Sequence, residues 1–298
     1  MPQYQSGPCP ACGNARASSL GKPDLRKDPV GAPANSQVLQ CAGCGHLRID
    51  PMPSWSVEDF RLLYGDGYFV PDSPRWGRIR ETVNPQARFR RIQAILRTDR
   101  RRLLEVGSGI YAHFCTVMAG NGWDVLAQEP SPDFQKVLRG KGLAVIGEGF
   151  LELAENDKFS LIFADSVFEH VSDPLAYFRK AERLLEPGGV LYLVFPRERS
   201  LLGNLKQLLS KLRGAPSPLL NAYRPPFHLH GYSARSVAEF AKASGLELSL
   251  VFHGEDWFWL QAIERLPPLV GHLAAGVLWF ADRIGWGGNL EVGLRKVG

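Results

Sequence analysis

The chain has 298 residues, a formal charge of +5 and the composition of an ordinary globular protein. That length is enough to bury one large domain and a small one, and no internal repeat or low-complexity tract points elsewhere. The opening "MPQYQSGPCPACG" has no apolar core segment of the kind a secretory signal needs, so the expected location is cytoplasmic.

Four of the five cysteines form two knuckles, Cys9 and Cys12 in "CPACG" and Cys41 and Cys44 in "CAGCG". Two residues between thiols let both sulfurs reach one ion. The following glycine frees backbone amides to turn toward them. In a reducing compartment, four thiolates read as a closed, structural zinc site rather than as disulfides. Residues 1–52 are therefore expected to be a zinc ribbon with an extended insertion. His46 is at most a spare ligand, and Cys115 is expected to be a buried core thiol.

Residues 53–100 read as a helical linker. "SWSVEDFRLLYGDGYF" gives a short helix and an aromatic loop expected to dock the ribbon, and a helix follows over Pro85 to Leu96. The arginine-dense run from Arg75 to Arg102 carries much of the positive charge. It reads first as a solvated helix face and second as a surface for phosphates.

From residue 101 strands and helices alternate. "RLLEVG", "WDVLAQE", "LAVIG", "KFSLIFAD" and "VLYLVFP" are the strands; "AHFCTVMAGNG", "SPDFQKVLRGKG" and "DPLAYFRKAERLLEPGG" are the helices. The pattern predicts an α/β fold, a Rossmann-like doubly wound sheet. Pro132 and Pro174 suit first-turn positions, and Gly188 and Gly189 read as a helix C-cap. An excursion follows over residues 197–232, a candidate lid. Then come the helix "ARSVAEFAKASG", the strand "LELSLVFHG", an aromatic, apolar insertion over 255–287, and a last strand "NLEVGLRK" expected to be antiparallel.

"LLEVGSGIYAHF" combines a strand end, a glycine turn and a helix start. Gly107 and Gly109 would let the backbone turn sharply beside a ligand, and Glu129, at the end of the second strand, sits where an acid can bind ribose hydroxyls. That pair fits NAD or S-adenosylmethionine. In order along the chain, "LLEVGSG", "GWDVLAQEPSP", "FSLIFADSVFEHVSDP", "LLEPGGVLYLVFP" and "GGNLEVGLRK" resemble the class I S-adenosylmethionine-dependent methyltransferases, from about Arg102 to Gly298. The ribbon with "WSVEDFRLLYGDGYF" is similar to a bacterial subgroup with an N-terminal zinc module. Members of that subgroup often act on sugars, glycans or secondary metabolites.

The resemblance implies S-adenosylmethionine as cofactor, contacted by Gly107, Gly109 and Glu129. Glu105 would organise the methionine end, Asp165 and Ser166 would line it, and Glu148 is a candidate for the adenine edge. Tyr111, where a dinucleotide loop has a small residue, argues against a pyrophosphate on the helix N-terminus. Methyl transfer is an in-line displacement needing position, exclusion of water and, for a hydroxyl acceptor, a base. His170, His228 and His230 are the candidates. Alternating residues put His228 and His230 on one side of an extended segment. "PPFHLHGYS" resembles the Tyr-His-Glu-His motif of deoxysugar C-methyltransferases, with Phe227 and Leu229 in place of the tyrosine and acid, which favours O-methylation. "SVFEH" resembles the metal-binding Glu-x-x-Glu-His of ubiquinone-type O-methyltransferases. Ser166 replaces its first acid, so a second metal is not expected.

The expected partner is a small-molecule or glycan acceptor. An RNA methyltransferase gripping nucleic acid with ribbon and arginine run is the second reading, disfavoured because the stretch between the knuckles is short of basic and aromatic residues. A non-catalytic scaffold with a loop decayed at Tyr111 is the third. The insertion "LPPLVGHLAAGVLWFA" is too short and broken to span a bilayer. A lid, a dimer contact or peripheral contact with a membrane surface would each account for its tryptophans.

Overall fold

The computed structural model describes residues 3–23, 33–56, 58–59, 84–197, 200–214, 228–254 and 266–298, apart from the side chains at 202, 275 and 282. Most of the expected docking loop after Trp55, the second half of the candidate lid and the first part of the apolar insertion lie outside these residues.

The N-terminal part is built of short strands: β1 (Gln3–Gln5), β2 (Ala17–Gly21), β3 (Gln37–Cys41), β4 (Leu47–Asp50) and β5 (Met52–Ser54). β2, β3 and β4 form an antiparallel sheet, and β1 pairs with β5. Helix α1 (Asn84–Ile95) leads into an alternating series: β6 (Arg102–Val106), α2 (His113–Gly120), β7 (Asp124–Gln128), α3 (Pro132–Gly140), β8 (Ala144–Ile146), β9 (Phe159–Asp165), α4 (Pro174–Leu184) and β10 (Leu185–Pro196). After it come α5 (Leu201–Leu212), β11 (His230–Gly231), α6 (Ala234–Ser244), β12 (Leu246–Gly254), α7 (Pro268–Arg283) and β13 (Asn289–Lys296).

Seven strands form the central sheet in the order β12-β13-β10-β9-β6-β7-β8. β13 alone in this sheet runs against its neighbours, as the sequence pattern predicts. β6 leads outward to β7 and β8 on one side, while β9 lies on its other side. Strand order therefore reverses at the carboxyl ends of β6 and β9, the position where this architecture binds ligands. Consecutive leucines divide the core: Leu104 joins the layer packed with α4 and α6, and Leu103 joins the layer packed with α1 and α2. Both faces are covered, which explains why β9 reads as one apolar run rather than an alternation.

Two expectations are corrected. Gly188 and Gly189 do not cap a helix. Helix α4 stops at Leu184 and the glycines lie inside β10, where the pairing with β9 breaks register between Leu185 and Val190. Gly188 has φ +78°, and a Cβ there would stand 2.4 Å from the Arg97 carbonyl oxygen, so a turn and a close approach both demand glycine. The arginine run is not simply a solvated face either. Arg88 is buried in α1, and Arg91 beside it also turns inward.

The joint between the small N-terminal sheet and the large one is a strand. β11 pairs antiparallel with β4, His230 opposite Arg48, which makes the small sheet four-stranded. His46 Nε2 and His230 Nδ1 are 3.0 Å apart, and the His46 ring packs edge-on to Tyr232 and Phe240. The Trp55 amide also donates to Ser172 Oγ at 2.9 Å. Cys9, Cys41 and Cys44 belong to the same apolar cluster as Phe168 and Phe240.

Candidate active site

A cleft of about 260 Å³ opens at the switch point. Its walls include the loop Gly107–His113, Glu105 at the end of β6, Asp165 and Ser166 at the end of β9, Arg88 of α1, and Asn289. Gly107 and Gly109 take φ of +60° and +61°. A Cβ on Gly107 would meet Val167 Cγ2 at 2.8 Å, whereas one on Gly109 would meet nothing within 4 Å. The first glycine is required by packing and by backbone, the second by backbone alone.

The loop is held from β7. The Gly107 amide donates to Gln128 Oε1 at 3.1 Å, and the Ser108 amide to the Gln128 carbonyl at 3.1 Å. The Glu129 carboxylate accepts from the amides of Gly109 and Ser131, both at 2.8 Å. Glu129 is buried behind the loop, and burial raises its pKa against the pull of those two amides. The Glu148 side chain is exposed; its backbone carbonyl accepts from Gln128 Nε2 at 2.9 Å. Gln128 thus ties β7, the glycine loop and the turn after β8 together. In the sequence Gln128 carries no signal, because an amide one position before the expected acid has no motif of its own.

Glu105 is buried at the cleft, and its carboxylate accepts the Cys115 amide at 2.7 Å. Helix α2 has no side-chain cap of its own; Ala112, at its start, is left-handed. Glu105 therefore supplies from the sheet the acceptor that a serine or aspartate would supply locally. Burial pushes its carboxyl up to about 7, with the Cys115 hydrogen bonds pulling the other way.

Across the cleft Asp165 pairs with Arg88 at 2.6 Å and accepts from Ser166 Oγ at 3.1 Å. Arg88 also meets Glu291 at 3.2 Å, and Arg91 meets it at 2.7 Å. The Tyr192 hydroxyl donates to the same Glu291 carboxylate at 2.5 Å. Burial alone would lower the Arg88 pKa, but Asp165 and Glu291 outweigh it and hold the guanidinium charged. Arg88 is the functional candidate that sequence reading missed, since its place in an arginine-rich helix suggested solvent. Tyr111 stacks on His113, the first residue of α2, with ring centroids 4.9 Å apart and planes 8° apart. It forms part of the wall.

The three histidines separate into two environments. His230 is 3% exposed and faces His46 in the joint; burial pushes its pKa down to about 3, so it is neutral near pH 7. His170 and His228 lie side by side, ring centroids 5.0 Å apart, His228 being the more open. The Glu169 carbonyl accepts from the amides of Leu229 and His230, at 2.8 and 3.1 Å, pinning this segment to the chain just after β9. Glu169, His170 and His228 offer ligand atoms within 4.8 Å of one another.

The four knuckle cysteines also converge, all sulfurs lying within 4.8 Å of each other. Cys9–Cys44 and Cys12–Cys41 are 3.6 and 3.5 Å apart, too far for disulfides and near the ~3.8 Å between sulfurs on a tetrahedral zinc. Gly13 and Gly45, with φ of +69° and +74°, turn each knuckle as the spacing predicts.

A family described as a methyltransferase domain matches residues 79–251. The chain belongs to that family, and it is an enzyme of the S-adenosylmethionine-dependent methyltransferase type. Among solved structures it is similar to a SAM-dependent methyltransferase from Archaeoglobus fulgidus, with 16% identity, a TM-score of 0.50, and coverage of 73% of this chain and 94% of that one. It is also similar to magnesium protoporphyrin IX methyltransferase from Synechocystis PCC 6803 with bound SAH, with 13% identity, TM-score 0.47, and coverage of 80% and 92%. At such identities the likeness is one of fold. No curated protein matches the chain.

Proposed function

We propose that the enzyme methylates a hydroxyl of a sugar, glycan or small metabolite, with cofactor in the cleft and acceptor beside His228. What carries the reading is the cleft itself: a left-handed glycine loop between two carboxylates, Glu105 and Asp165, at the sheet's switch point. Arg88 and Arg91 roughly balance Asp165 and Glu291, so an ionised Glu105 leaves the cleft negative. Such a wall suits a cationic ligand and opposes a pyrophosphate. The cofactor would supply an activated methyl group on a neutral leaving group. The glycine loop would lie against it, with Glu105 and Asp165 facing its charged end, and Glu129 keeping the loop in shape.

The chain's remaining tasks are to hold the acceptor, exclude water and take a proton. We assign the proton to His228, because it is the half-open ring of the pair next to β9, while His230 is committed to His46. His170 would orient it. Four converging thiols support a structural zinc in the N-terminal sheet, and a reducing, cytoplasmic compartment belongs to the same reading. Two arginines of the basic run are turned inward, which weighs against an RNA acceptor.

Transfer of a labelled methyl group to a panel of nucleotide sugars and glycans tests the acceptor class. With an acceptor in hand, His228→Ala should lower kcat about 100-fold or more with little change in cofactor affinity. Unchanged turnover would remove His228 as the base.

A further inference from the structure

Helices α5 and α7 show the helical period that normally marks a core-facing side, but turned outward. In α5 the stripe is Leu205, Leu208, Leu209 and Leu212, at spacings of three, four and seven, and all four are exposed, Leu212 at 74%. In α7 it is Leu269, Leu273, Val277 and Phe280, continued by Ile284 just past the helix, with Leu269 at 75% and Leu273 at 65%. The two are joined at their bases. The Leu201 amide donates to the Trp286 carbonyl at 2.9 Å, and the Arg197 amide to that of Gly288 at 2.7 Å. Folding has left two apolar stripes in water, on helices tied together where α5 starts and just past where α7 ends, which costs free energy unless something covers them.

We propose that this face docks on a membrane carrying anionic lipid. Charge selects that occupant. Over residues 200–214 and 266–287 the cations are Lys206, Lys211, Arg213 and Arg283 and the only acid is Asp282, a balance of 4 − 1 = +3. A second copy would bring the same positive charge against it, whereas anionic headgroups complement it. The Arg283 guanidinium lies over the Trp279 ring at 3.9 Å, an aromatic and a cation set together as at a headgroup boundary. Docking is peripheral, since no helix among the described residues is long and apolar enough to cross a membrane. Asn289, which lines the cleft, follows Trp286 by three residues, so a short run of chain links the end of α7 to the site of chemistry.

Co-sedimentation with phosphatidylcholine vesicles, with and without about 30% phosphatidylglycerol, tests this. The expected result is at least about tenfold more bound protein on the anionic vesicles, falling as salt rises. Leu208→Glu with Leu273→Glu should abolish binding while leaving S-adenosylhomocysteine affinity and melting temperature unchanged. Should that variant misfold, Lys211→Glu with Arg283→Glu gives the same test through charge alone. Equal binding to both vesicles, or binding to neither, overturns the proposal. So does a dimer in sedimentation velocity that these variants dissolve without any vesicle binding; that result would make the face a contact between copies.

Discussion

Glu105 shows how one side chain can be structural and functional together. It caps α2 through the Cys115 amide while standing at the cleft, and burial lifts its carboxyl from the usual range to about 7. A carboxyl whose pKa is raised on folding stabilises most below its unfolded value, near 4.5, and that contribution is lost as pH rises through 7. Glu105→Gln keeps the acceptor for Cys115 and removes the titration. Without cofactor the variant should therefore be about 3 kcal/mol more stable than the parent at pH 8, with the gap closing toward pH 4.5. Thermal melts across that range check it; a gap independent of pH would contradict the assignment. Glu105, Gly107 and Gly109 were legible because "EVGSG" places them in one short run. Arg88 and Gln128 were not, because one looks like any surface arginine and the other acts through backbone partners that only the fold brings near.

At the scale of elements, the small N-terminal sheet is completed by β11, a two-residue strand contributed from more than 170 positions later in the chain. Its His230 looked like a catalytic candidate because alternation put it with His228. The alternation is real, but it could not say that a strand of the other unit would lie alongside. Zinc should matter at a distance for the same reason. If the knuckles hold a structural ion, removing it with a strong chelator should free β4, uncover the His46–His230 pair and lower the melting temperature by several degrees or more. Proteolysis near residues 228–232 should accelerate as well. A stoichiometric zinc content of zero, or chelation without effect on either readout, would dismiss the ion. The glycine pair in β10 is a related case: "EPGG" reads as a helix end, but the strand runs on parallel to β9 through a bulge there, with Gly188 close against the Arg97 backbone.

For the molecule as a whole, the alternating pattern after residue 101 was enough to read the doubly wound sheet and its reversed last strand. The outward apolar faces of α5 and α7 were not, since periodicity gives a stripe without saying which way it turns. The proposed function requires the switch-point cleft to bind a cationic methyl donor and its product. Titration calorimetry with S-adenosylhomocysteine tests it most directly, using the parent and Gly109→Ala. That variant adds a methyl group where no neighbour stands within 4 Å, at a backbone cost of about 1–2 kcal/mol. One site per chain with micromolar affinity is expected, weakened about tenfold or more by the added methyl group, with no heat from NAD. No binding of S-adenosylhomocysteine to the folded parent, or equal binding by the variant, would contradict that function.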